Sequence, residues 1–204
     1  MPFRVLLALA LAATFAAAGA GVALLSGGDD APSSEAPEGA LRPPGIPPSD
    51  FRLVDQQGRT TTHADVRGKV AIVTFLYTTC EDTCPLTAQQ IRGALDDLGH
   101  DVPVLAFAVD PPRDTPARAQ RFVTKQQMDG RMRFLTGPRT ELRRQWRAYG
   151  IRPQGSGFEH TAHVVLLDRR GVQRIGFPVD QLTPERLAHD VALLEREPGD
   201  LSGT

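Results

Sequence analysis

Cys80 and Cys84 are the only cysteines of the chain, and they share one short stretch, Phe75-Leu76-Tyr77-Thr78-Thr79-Cys80-Glu81-Asp82-Thr83-Cys84-Pro85. Two thiols four residues apart can close a redox-active disulfide or, as thiolates, grip one soft metal ion. A structural staple is a poor reason for the pair, because bridging so short a loop removes little chain entropy. A Cys-x-x-Cys here would say disulfide exchange. The extra residue of this Cys-x-x-x-Cys makes room for an ion between the sulfurs. Two thiolates leave a metal under-coordinated, so a third ligand is expected. Cu(I) takes soft sulfur and imidazole at low coordination number, and Cu(II) accepts a similar set with one more donor.

The flanking elements must hold those thiols in place. Val70 to Tyr77 is an apolar, β-branched run that reads as a strand buried on both faces. Pro85 opens a helical pattern, with Ile91, Ala94, Leu95 and Leu98 on one stripe and Gly99 at its end. Cys84 then lies beside the positive end of the helix dipole, which favours its thiolate. Val102 to Val109 is a second core strand, followed by Asp110-Pro111-Pro112-Arg113-Asp114-Thr115-Pro116, where Thr115 caps a helix burying Ala119, Phe122 and Val123. Met132 to Leu135 reads as a short strand, and Leu142, Trp146 and Tyr149 mark a third helix closed by Gly150. Phe51 to Val54 and Thr60 to Thr62 form an N-terminal β-hairpin, and Val164 to Leu167 pairs with Val172 to Phe177 around Asp168-Arg169-Arg170-Gly171. A last capped helix follows Thr183-Pro184. Alternating strands and helices give an α/β domain with a central mixed sheet flanked by helices. Two cysteines after the central strand make it thioredoxin-like.

With 204 residues, the chain is one ordinary domain plus something extra. A net charge of −1 and no outstanding basic patch give nucleic acid no support. Between Arg4 and Asp29 runs an uncharged, apolar stretch long enough to cross a bilayer, read as a transmembrane anchor or signal peptide over 5–25. Arg4 leaves 1–4 as a cytoplasmic tip and puts the bulk outside: a single-pass protein of the cell membrane, or a secreted one if the segment is cleaved. No cysteine follows the run, which excludes a lipoprotein anchor. Residues 26–49, rich in Gly, Ser and Pro, read as a tether that leaves the domain free to reorient, 50–197 as the folded domain and 198–204 as a tail.

Five histidines compete for the third position. His63 in the hairpin region, His100 past a helix end and His189 off an apolar stripe read as ordinary surface residues. His160 and His163 border a predicted core strand and follow the loop Pro153-Gln154-Gly155-Ser156-Gly157. His163, at the strand entrance, suits a core or rim role.

With the cysteine block, Val109-Asp110-Pro111-Pro112-Arg113-Asp114-Thr115-Pro116, Phe134-Leu135-Thr136-Gly137 and Glu159-His160-Thr161-Ala162-His163-Val164-Val165-Leu166-Leu167-Asp168 in place, the chain resembles the Sco/SenC family of copper chaperones for cytochrome c oxidase assembly. The resemblance runs from about Phe51 to Leu194. It implies a thioredoxin-like domain on a membrane anchor, with copper held by two cysteines and a distant histidine, which fall on Cys80, Cys84 and His160. His160 stands eight residues before Asp168, as the family histidine does before its strand-end Asp. The implied partner is an oxidase subunit with a dinuclear copper site, and the implied domain is monomeric. The chain departs from the family at Glu81 for the usual Pro, Thr79 where His is common, and Glu159 where Asp precedes the histidine. Glu81 adds negative charge beside the thiolates, which should raise their pKa values and favour the more positive copper ion.

A second reading is a thiol–disulfide oxidoreductase that reduces the oxidase subunit's cysteines before metallation. His160 discriminates, since disulfide exchange needs no distal histidine. A thiol peroxidase is weaker still, because nothing around either cysteine declares a peroxide site. Asp110 is expected near the copper loop, within reach of its backbone or of Arg113, since strand ends in such sheets gather at one edge.

Overall fold

The computed structural model describes residues 36–151, apart from 45, 47 and 48, and residues 163–198. The predicted membrane segment, His160 and Glu159 lie outside the described residues.

The near-continuous apolar run after Lys69 forms β4 (Ala71–Leu76), all six residues of which are buried. Burial on both faces demands a central position, and β4 has it: β5 (Val104–Ala108) pairs with it in parallel on one side and β7 (His163–Leu167) antiparallel on the other. Parallel β6 (Met132–Leu135) extends the sheet beyond β5, and antiparallel β8 (Gln173–Pro178) extends it beyond β7. Helix α1 (Thr83–Leu98) crosses from β4 to β5, and α2 (Pro116–Lys125) from β5 to β6. Helix α3 (Arg139–Ala148) follows β6, and α4 (Pro184–Arg196) closes the fold and packs on α1. Gly93 permits that packing, because a Cβ there would come within 2.8 Å of Pro184. Phe75, Phe107 and Tyr149 stack where β4, β5 and the end of α3 meet, and Trp146 donates its indole N–H to the Ala108 carbonyl. The expected mixed sheet and thioredoxin-like arrangement are observed.

The N-terminal hairpin is β2 (Arg52–Val54) with β3 (Thr60–Thr62), a separate two-stranded sheet. It closes on Asp55, whose carboxylate accepts the N–H groups of Gln57 and Arg59. Gln56 then lays its side-chain amide along the outer edge of β6, donating to the Met132 carbonyl (2.9 Å) and accepting from the Phe134 N–H (2.8 Å).

Two boundaries differ from the sequence reading. Strand β1 (Ala40–Leu41) falls inside the segment read as tether and pairs antiparallel with β8, so the sheet begins before residue 50. The buried Asp190 carboxylate fixes this segment by accepting the N–H groups of Glu38 and Gly39, both at 2.8 Å. Those residues carry little apolar surface, so hydropathy missed them; backbone pairing and one distant carboxylate hold them. His63, read as a surface residue, is buried instead, its ring lying under the β7–β8 turn where Gly171 has φ +81°. His100 is exposed as expected, with Nε2 facing the Glu195 carboxylate.

Candidate metal centre

Where β4 stops, the chain turns through Tyr77 to Asp82 and enters α1. The helix starts at Thr83, two residues before Pro85, and Pro85 sits in the first turn, where its missing N–H has no partner to lose. The turn is closed by the Cys80 N–H, which donates to the Tyr77 carbonyl at 3.2 Å. One helical turn later the Cys84 N–H, one of the free donors at the start of α1, points at the Cys80 sulfur, 3.2 Å away. Cys84 is fully buried, Cys80 half-buried, and no disulfide joins them.

That geometry reverses the expected order of the two thiols. The Cys80 thiol is lowered to about 5, first by its hydrogen bond with the Cys84 side chain, then by the Cys84 N–H, the Tyr77 hydroxyl and the Asp82 N–H, with burial opposing. Cys84 is raised by the same sulfur–sulfur hydrogen bond and by burial. Cys84 rides inside the helix, so the positive end of α1 faces its neighbour rather than itself. Glu81, expected to raise both thiols, is not among the main groups acting on either. The Tyr77 hydroxyl is also held above its ordinary value, by burial first and then by the Cys80 sulfur. The pair is therefore a soft donor set in which the outer sulfur is the one pushed toward thiolate.

The loop bearing the cysteines is fastened to the end of β5 by a residue the sequence reading passed over. Asp114, 2% exposed, accepts the Thr78 N–H (2.7 Å) and the Thr78 hydroxyl (2.8 Å) on one oxygen, and the Asp110 N–H (2.9 Å) on the other. Asp110 does reach Arg113 as an ion pair, but the bond to the cysteine loop's backbone is made by Asp114. Both acids lie in the quoted Asp-Pro-Pro-Arg-Asp block, and spacing alone did not say which turns inward.

His163 opens β7, half-buried at the sheet rim, and its carbonyl accepts the Thr74 hydroxyl at 3.3 Å. Val164 pairs with Thr74, so β7 begins at the end of the sheet where β4 hands over to the cysteine loop. Among the described residues no group of three or more His, Cys, Asp or Glu side chains could hold a metal. Within that set the cysteine pair stands alone.

The family model described as SCO1/SenC matches residues 42–194, and the chain belongs to the SCO1/SenC family. It is 32% identical over 151 residues to the SenC protein of Rhodobacter capsulatus, spanning 69% of this chain and 67% of that one. To the mitochondrial SCO2 homolog of Bos taurus it is 32% identical over 117 residues, which cover 55% of this chain and only 43% of the bovine protein. Among solved structures, Bradyrhizobium japonicum ScoI with copper bound matches with a TM-score of 0.58 at 29% identity, over 72% of this chain and 98% of that one. Arabidopsis thaliana ScoI with copper bound matches at 0.64 over 74% and 99%, and at 23% identity it speaks for the fold alone.

Proposed function

We propose that this protein is a copper chaperone of cytochrome c oxidase assembly, binding one copper ion as cargo through Cys80, Cys84 and His160. The observation that carries the reading is the cysteine pair itself: two sulfurs at the start of α1, linked through the Cys84 N–H, the outer one half-buried and the inner one buried. An outer sulfur pushed toward thiolate and a buried inner one suit capture and release of a soft ion. The entry of β7 beside the cysteine loop supports His160 as third donor, since it precedes His163 by three residues. Relatives bearing the family's name have been solved with copper bound, the Bradyrhizobium protein among them. The client is an oxidase subunit with a dinuclear copper site. Thiol–disulfide exchange alone is not the favoured reading.

The domain works on the extracytoplasmic side, held to the membrane by residues 5–25. Among the described residues no helix is long and apolar enough to cross a membrane, and a Bacillus anthracis family member is described as a lipoprotein. Asp110 and Arg113 act as an outer pair that steadies the β5 end of the site.

Anaerobic copper titration of the reduced chain tests the reading. Saturation at one equivalent is expected, with thiolate-to-metal charge transfer in the visible when Cu(II) is used. Cys80→Ala and Cys84→Ala should abolish stoichiometric retention. His160→Ala should weaken it while leaving the cysteines able to form a disulfide, and His163→Ala should act through stability. Undiminished copper in either cysteine variant would refute the assignment.

A further inference from the structure

Many of the arginines in this fold lie against a carboxylate: Arg59 with Asp55, Arg131 with Asp96 and Asp101, Arg174 with Asp168 and Glu197. Arg118, Arg121 and Lys125 do not. Among the described residues no acid lies within ion-pair distance of any of them. They recur at three- and four-residue spacing along α2, so one helix face carries all three, and like charges so placed repel by about 0.2–0.5 kcal/mol per pair. Arg139, Arg143 and Arg147 on α3 also have no ion-pair partner among the described residues, but they do not line the groove that holds Cys80. The α2 cations do. They form one wall of a groove of about 330 Å³ whose other lining includes Pro85, Phe122 and Cys80. The hydrogen bonds of the Cys80 sulfur come from Cys84, Tyr77 and Asp82, so the cations are not among them.

We propose that this groove is a docking surface for an acidic segment of the client protein, held so that the client's own ligands face Cys80. The proposal rests on the reading of the chain as a copper donor and gives that donor an address for its acceptor. Seven residues separate Arg118 from Lys125, about 10 Å along the helix. An extended strand covers that distance in about three residues, so two Asp or Glu residues at alternate positions would lie within the span of the three cations. Phe122 and Pro85 give the groove an apolar part on which the stems of such side chains can lie. A lipid surface could satisfy the cations but has nothing to present to a half-buried sulfur. A polypeptide satisfies both.

The test uses the full chain and a short fluorescein-labelled peptide of Asp and Glu residues, followed by fluorescence anisotropy. Saturable binding that weakens as ionic strength rises is expected. The triple variant R118E/R121E/K125E should bind at least about tenfold more weakly, as expected when a complementary patch changes sign, and should still take up one copper per chain. The neutral variant R118Q/R121Q/K125Q should show a smaller loss in the same direction. R139E/R143E/R147E, with the same change in net charge on α3, should stay within about twofold of the unaltered protein, since exposed charges beyond a Debye length are screened. Equal loss in both reversed variants would overturn the proposal in favour of a net-charge effect. Stronger competition from soluble short-chain phosphatidylglycerol than from unlabelled peptide would overturn it in favour of a lipid surface. Peptide binding intact in a chain that takes up no copper would support the surface and remove the copper reading, so the two can fail separately.

Discussion

Two buried aspartates sit at opposite ends of the central sheet. At the far end Asp168 closes the β7–β8 turn. It accepts the N–H groups of Arg170 and Val172, and its carboxylate lies 3.3 Å from both the Arg170 and Arg174 guanidinium groups. Everything it touches is within six residues and its charge is matched. At the site end no cation lies within ion-pair distance of Asp114 among the described residues. It reaches back 36 residues to Thr78, and burial holds its carboxyl above the ordinary carboxylate value. One aspartate finishes a turn; the other joins two loops that the sequence leaves far apart. The difference teaches where this protein places its vulnerable polarity. At the far end the carboxylate's charge is answered within its own turn, and at the cysteine end it is answered only by backbone and hydroxyl donors.

The largest effect should follow from Asp114→Ala. It strands the Thr78 and Asp110 N–H groups in a dry setting, for a loss of about 2–3 kcal/mol, measured by urea denaturation. It should also weaken copper retention by releasing the cysteine loop. Copper binding unchanged in the folded variant would reduce Asp114 to the status of Asp168. Gly171→Ala comes next, at about 2 kcal/mol for a strained positive φ, because its Cβ would also press on the buried His63 ring. Copper stoichiometry should not move. Asp168→Asn keeps an oxygen for the Arg170 and Val172 N–H groups but loses the charge facing Arg170 and Arg174, so it should lose about 0.5–1 kcal/mol and leave copper and groove binding alone. A change in either would mean that the two ends of the sheet are coupled.

The smallest effect is in pH dependence. The folded Asp114 carboxyl is raised, so the native state binds more protons than the unfolded one just above pH 3.8. Its contribution to stability therefore grows as pH falls toward that value, and the gap between the unaltered protein and Asp114→Asn should widen on going from neutral to mildly acid pH. Asp55 has the opposite sign. Burial pushes it up, but hydrogen bonds from the Arg59 backbone and side chain and from the Gln57 N–H outweigh this and leave it lowered. Its contribution is present above pH 3.8 and lost as pH falls below, so the gap for Asp55→Asn should narrow. Gaps that move in the same direction would contradict the assignment of either group. Chemical denaturation at a series of pH values reads both.

Much of this was legible in the sequence for a simple reason. Where burial decides, as in β4 and the apolar stripe of α1, residue type and period carry the answer. Motif spacing likewise located Cys80 and Cys84. What escaped are features made by one polar group meeting a distant backbone: the Asp114 clasp, β1 held by Asp190, His63 beneath Gly171. The protonation order of the cysteines escaped for a related reason. The positive end of α1 does act on a sulfur, but the fold aims the Cys84 N–H at the sulfur before the helix rather than at the one within it.

The Gln56 amide has a consequence of its own. A four-residue strand at the margin of a sheet offers a template on which a stray chain can add, the route by which sheets aggregate. On β6 the Phe134 N–H and Met132 carbonyl are already occupied by one side chain that imitates a peptide unit, and the Val54–Thr136 bridge covers the strand's end. At the opposite margin β1 takes the same kind of positions on β8. Strand β1 is itself short and exposed, so the closed margin is that of β6, and growth by strand addition has no starting point there. Copies crowded together at high concentration meet that margin with the Phe134 N–H and the Met132 carbonyl already taken.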